Sequence, residues 1–122
     1  MTEVKTILVV DDSRVSRLMA RQFIHSKKPA WLVEEAGSGE EALEKVKTIA
    51  PVLILIDVNM PGMGGLAAAE LLRKACPGAQ LSLVTANVQN ATRNRAAELG
   101  IGFMEKPITE QKIHDLIAKL EG

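Results

Sequence analysis

Five polar side chains in this chain share one kind of position, at the end of a short apolar run. Asp11 and Asp12 follow Thr6 to Val10, and Asp57 follows Val52 to Ile56. Thr85 follows Leu81 to Val84, and Lys106 follows Gly102 to Glu105. Two like charges ~4 Å apart repel by roughly 4 kcal/mol at an effective dielectric of 20. Three clustered carboxylates must therefore raise one pKa or hold a divalent cation. Carboxylates, a backbone carbonyl and waters suit Mg²⁺, a hard ion that often keeps phosphate among its ligands. A Thr hydroxyl and a Lys ammonium nearby suit an anion that shares this metal. The chemistry is that of a phosphoryl group on or beside a carboxylate, and a carboxylate can itself be the acceptor, giving an acyl phosphate.

Such a site needs a scaffold that brings positions 11 to 106 together. Apolar runs alternate with segments of helical period. Ser13 is placed to cap a first helix carrying Val15, Leu18, Met19, Phe23 and Ile24 on one side. Trp31 to Glu35 forms a second run, followed by Gly37-Ser38-Gly39 and a helix with Leu43, Val46 and Ile49. Val52 to Ile56 is continuous and β-branched-rich, as a strand buried on both faces is. The loop NMPGMGG opens a third helix with Leu66, Leu71 and Leu72. A polar, Ala-rich helix is predicted from Gln89 to Leu99, and a last one carries Ile113, Leu116, Ile117 and Leu120. Five β-α units with short connections argue for a parallel sheet with helices on both faces. In an open sheet of that kind the carboxyl ends of the strands share one edge, where ligands bind.

Composition narrows the function classes. The chain has 122 residues, one domain's worth, with 47% hydrophobic and 25% charged residues. Lys plus Arg is 15 and Asp plus Glu is 15, so no general electrostatic grip on nucleic acid or an acidic membrane is expected. There is no Tyr, one Trp and two Phe, which argues against an aromatic nucleic-acid platform. No apolar run approaches the ~20 residues of a membrane span. The start MTEVKTILVVDD lacks a signal-peptide pattern, and the single Cys76 fits a reducing cytoplasm.

The set VVDDS, LILIDVNMPGMGG, LVTAN and FMEKP resembles the receiver domain of two-component response regulators, in the right order and across essentially the whole chain. The resemblance implies one receiver domain over residues 1–122 with no output domain. It implies a flavodoxin-like, doubly wound (βα)5 three-layer sandwich with strand order 2-1-3-4-5. It implies that Asp57 accepts a phosphoryl group from a histidine kinase or a histidine phosphotransfer protein. Asp12 and Asp57 would bind Mg²⁺ directly with the backbone carbonyl of Asn59, and Asp11 mainly through water. Lys106 and Thr85 would contact phosphoryl oxygens, and Lys106-Pro107 would be a cis peptide. Thr85 and Phe103 would form the switch, reshaping the face of helix 4, strand 5 and helix 5 toward an output protein. Asn59 and Asn87 would tune the rate of phosphoryl loss. The implied protein is a cytoplasmic monomer or weak dimer without independent enzymatic turnover.

The sequence departs from the family pattern in two places. Phe103 stands where many members have Tyr, and Gly64 where an acidic or amide residue is usual, so the third helix lacks a side-chain N-cap. Blander readings apply to other residues: Arg14, Arg17 and Arg21 as a solvated helix face, His25 and His114 as surface residues. Three competing functions remain open. Gly37-Ser38-Gly39-Glu40-Glu41-Ala42 loosely matches a dinucleotide fingerprint, although Glu40 and Glu41 would repel a pyrophosphate at that helix N-terminus. A haloacid-dehalogenase-type phosphatase also combines Asp, Thr or Ser, Lys and Mg²⁺, but Asp11-Asp12-Ser13 is not its D-x-D. A receiver acting only as a docking module is the third.

Overall fold

The computed structural model describes residues 4–86 and 89–121. Strands and helices alternate along the chain: β1 Thr6–Val10, α1 Arg14–Lys27, β2 Leu32–Ala36, α2 Gly39–Lys45 and β3 Leu53–Asp57. Then follow α3 Gly65–Ala75, β4 Gln80–Thr85, α4 Asn90–Leu99, β5 Gly102–Glu105 and α5 Glu110–Glu121. The strands form one parallel sheet in the order β2-β1-β3-β4-β5, as the family resemblance implies.

The alternation of side chains across the sheet builds two cores. Ile7 and Val9 of β1, with Leu53 and Leu55 of β3, face a layer containing Ala20 and Ile24 of α1 and Ile113 and Ile117 of α5. Leu8, Val10, Ile54 and Ile56 face the other way, toward Ala42 of α2, Ala69 and Leu72 of α3 and Ala96 of α4. Every residue of the central strand β3 is buried. Its run of branched apolar residues is the sequence signature of that position. Trp31 is interior as well, with the Lys5 and Lys28 ammoniums 5.6 and 5.5 Å from its ring centroid.

Two expectations shift. The second helix is shorter than its apolar period suggests: it ends at Lys45, and Val46 and Ile49 pack on the core from the turn after it. On α1, Val15, Leu18 and Met19 point to solvent, at 67%, 50% and 44% exposure. The inward positions are taken by Arg17, Ala20, Arg21 and Ile24, spaced three, four and seven apart, the period of one helix face. The two arginines are therefore not a solvated face. Each reaches Glu35 on β2.

Candidate functional site

The sheet register explains why the polar residues meet. β1 pairs with β2 and β3 up to Val10, β3 with β4 up to Asp57, and β4 with β5 up to Thr85. Asp11, Asp57, Thr85 and Lys106 are thus delivered to one edge by the lengths of their strands. Asp11 and Asp57 are each 4% exposed and Thr85 1%, while Asp12 is exposed. Ligand oxygens of Asp11, Asp12 and Asp57 all lie within 4.8 Å of one another. Lys106 Nζ stands 3.4 Å from Asp57 Oδ1.

Backbone details fix this arrangement. Ser13 N–H donates to Asp11 Oδ1 at 2.8 Å, and the Ser13 hydroxyl caps α1 by accepting from Ser16 N–H at 3.3 Å. Asn59 N–H donates to Asp57 Oδ1 at 3.3 Å, which folds the backbone of residue 59 back beside the carboxylate. Lys106 N–H donates to Thr85 O at 2.7 Å, and the Lys106-Pro107 peptide is cis. Phe103 is half-buried against the α2, α3 and α4 layer, with the Arg93 guanidinium 5.7 Å from its ring centroid. Asn87 lies outside the described residues.

The electrostatics follow from burial. Burial pushes the Asp11 carboxyl above its usual range, and the charges of Asp57 and Asp12 push the same way. The Ser13 N–H and the Lys106 ammonium pull it back without cancelling the rise. A cluster with this excess of negative charge and only hard oxygen donors fits a divalent cation such as Mg²⁺.

Some residues that shape the site carry little signal in the sequence. Gly65 is one: a Cβ there would sit 2.0 Å from Asp57 O and 2.6 Å from the Val58 Cα. Only glycine lets α3 start that close to the strand end. Gly64 before it has φ +80° and gives α3 no side-chain cap, as expected from its lack of a side chain. Lys112 of α5 is another: its Nζ donates to Glu105 O at 2.7 Å and Pro107 O at 3.1 Å, clamping both sides of Lys106. The Gly-Gly doublet hints at the first, but nothing in local sequence singles out the second. His25 and His114 are half-buried, with ring nitrogens 2.9 Å from Trp31 O and 3.2 Å from Phe23 O respectively.

The dinucleotide alternative loses its footing here. Ser38 Oγ accepts from Glu41 N–H at 3.1 Å, and Glu41 Oε1 accepts from Gly37 N–H at 2.9 Å. These bonds, a variant of the capping box, occupy the Gly37 and Glu41 amides and set a carboxylate where a phosphate would go.

Comparison with known proteins identifies the family. A family model described as the response regulator receiver domain matches residues 7–118. The chemotaxis protein CheY of Thermotoga maritima is 31% identical over 117 residues, covering 95% of this chain and 97% of that protein. A protein-glutamate methylesterase/protein-glutamine glutaminase of Maricaulis maris is 32% identical over 125 residues, 95% of this chain but 31% of that protein. The chain thus spans about a third of the length of such methylesterase relatives. Among solved structures, a CheY-like receiver domain protein from Methanospirillum hungatei matches with a TM-score of 0.89 at 26% identity, over 98% of this chain and 95% of that one.

Proposed function

The chain belongs to the response regulator receiver domain family of two-component signalling, and from that premise we propose that Asp57 is its phosphoryl acceptor. The observation that carries this is the Lys106 ammonium 3.4 Å from an Asp57 oxygen, in a pocket where Asp11 and Asp12 gather. A carboxylate oxygen of Asp57 attacks the phosphorus of a phosphohistidine on a kinase or phosphotransfer protein. The P–N bond breaks, the imidazole leaves and takes up a proton, and Asp57 becomes an acyl phosphate. Transfer of this kind depends on positioning and charge stabilisation more than on covalent help.

Asp12 and Asp57 would hold Mg²⁺ with the Asn59 carbonyl, and Asp11 would support it through water. When bound, Mg²⁺ neutralises the charge that develops on the phosphoryl oxygens. Lys106 pairs with one of these oxygens, and the Thr85 hydroxyl donates to another. Movement of Thr85 lets Phe103 follow, which changes the face of α4, β5 and α5 presented to an output protein. Asn59 and Asn87 tune how fast the phosphoryl group is lost by hydrolysis. Residues 1–122 act as one cytoplasmic receiver unit, a monomer or weak dimer, which phosphorylates and dephosphorylates itself but turns over no separate substrate. The activities named for its longer relatives belong to those proteins.

The test is mass spectrometry after incubation with acetyl phosphate and Mg²⁺. Wild type should gain one phosphoryl mass, and Asp57→Asn should gain none. An equal gain in both would remove Asp57 from the role. Mg²⁺ binding without any gain, repeated with beryllofluoride and no change at Phe103, would favour a docking module instead.

A further inference from the structure

The Asp11-Asp12 peptide needs something to hold it. The β1 register ends at Val10 against both neighbouring strands, so the Asp11 carbonyl lies past the ladder. Asp11 N–H is still anchored, donating to Ala36 O at 3.0 Å. The carbonyl is taken by a side chain: Arg17 Nη1 donates to Asp11 O at 2.6 Å. The same guanidinium donates through Nε to Glu35 Oε1 at 3.0 Å, and the Arg17 side chain is only 17% exposed. Glu35 is in turn held by Arg21, whose Nε and Nη2 donate to Oε2 at 3.0 and 2.7 Å. Arg21 Nη2 also donates to Val33 O at 2.9 Å, tying the group to the edge strand.

We propose that Arg17 is a positioning residue for the acidic pocket. It fixes the plane of the Asp11-Asp12 peptide and thereby the direction in which Asp12 presents its carboxylate. This inference rests on the reading that the pocket binds Mg²⁺. Glu35 has a matching part. By engaging the Nε side of the fork it keeps the guanidinium on the backbone side of Asp11. A cation swung in among the carboxylates would compete with the metal. A planar fork can bridge a carbonyl and a carboxylate at fixed spacing in a way a lysine cannot. Groups that orient metal ligands from outside commonly control affinity by 10–100-fold.

The sign of the effect separates positioning from charge. Removing a positive charge close to an acidic cluster should, by Coulomb's law alone, tighten a divalent cation. A positioning role predicts the opposite. The experiment is a MgCl₂ titration of the full chain by calorimetry, with amide chemical shifts read in parallel, well below each variant's melting temperature. Arg17→Gln should bind Mg²⁺ about tenfold more weakly than wild type. Arg21→Gln, which leaves the Arg17 bonds to Glu35 Oε1 and Asp11 O in place, should weaken binding far less than Arg17→Gln.

Arg17→Gln binding as tightly as wild type, or more tightly, would overturn the inference. So would equal weakening in both variants, since the whole cluster and not the bond to Asp11 would then matter. Should Arg17→Gln fail to fold, Arg17→Lys keeps the charge but spans only one of the two acceptors. Weaker Mg²⁺ binding in that variant supports the positioning role, and unchanged binding overturns it. Wild type that binds no Mg²⁺ would instead remove the metal reading on which the inference stands.

Discussion

Two helices flank the site, and they are held in different ways. α1 buries Ala20 and Ile24 in the core and turns Arg17 and Arg21 inward onto Glu35, where charge-assisted bonds are partly shielded from water. α4 buries only Ala96. Half-buried Leu99 packs on the same core, and the remaining ties are peripheral: Arg95 pairs with Glu70 on α3 and, at 3.0 Å, with Glu98, while Arg93 covers the Phe103 ring. The contrast has a physical logic. The acidic side must keep oxygen atoms at fixed separations whether or not a cation is present. In the proposed switch the α4 side changes shape, and segments with few buried apolar contacts open most easily. On these proposals one neighbour of the site serves geometry and the other movement.

The comparison can be broken from the α1 side first. Glu35→Gln leaves two inward arginines facing a neutral amide. Hydrogen bonds to charged groups contribute about 1.5–3 kcal/mol when shielded, so a loss of about 1–2 kcal/mol is expected for this partly exposed pair. Denaturant unfolding at neutral pH measures it. The pH dependence has a definite sign. Burial alone would raise the Glu35 carboxyl, but the hydrogen bonds from Arg21 and Arg17 outweigh it and hold it below its usual range. The native state then binds this proton less readily than the unfolded chain. The stabilisation is fully present above the unfolded carboxylate range and is lost as pH falls through the depressed native value. The gap between wild type and Glu35→Gln should therefore close in acid. A gap independent of pH would show that packing, not charge, makes the α1 side rigid.

Asp11 works in the opposite direction and on a smaller scale. Its carboxyl is raised, so ionisation costs the native state more than the unfolded one. That penalty is relieved as pH falls through the raised value toward the unfolded one. Asp11→Asn keeps an acceptor for Ser13 N–H and removes the charge. It should raise stability at neutral pH by about 1 kcal/mol while weakening Mg²⁺ binding, the trade expected where a strained cluster serves function. A melting temperature that falls in this variant would mean that the cluster is not strained.

The smallest effect is expected on α4. Arg95→Ala should leave the denaturation midpoint close to wild type, because its ion pairs are exposed. It should nevertheless speed amide hydrogen exchange along α4 relative to α1. Uniform exchange in the two helices would erase the distinction between them.

Much of this is legible in the sequence, for identifiable reasons. The strands read clearly because a parallel sheet covered on both faces demands unbroken apolar runs, as in Leu53 to Ile56. The polar residues that meet at the sheet edge are legible because each ends such a run. Arg14 is solvated as expected, but Arg17 and Arg21 are not, because a helical period shows which residues share a side, not which side is turned inward. With Val15, Leu18 and Met19 on offer, apolarity pointed to the wrong face. Glu35 decides it: a carboxylate on the edge strand gives the inward positions a charged partner.

The sequence by itself determined the order of elements, the two-sided burial of the central strand and the types of group at the strand ends. These follow from periodicity and residue chemistry, which are local. Only the tertiary structure decided that Arg17 holds the Asp11 carbonyl, that Lys112 clamps the carbonyls on both sides of Lys106, and that Gly65 must lack a Cβ against Asp57 O. Each of these depends on distances between backbone groups and side chains from different elements. Such distances exist only once strand register and helix packing have set where each element lies.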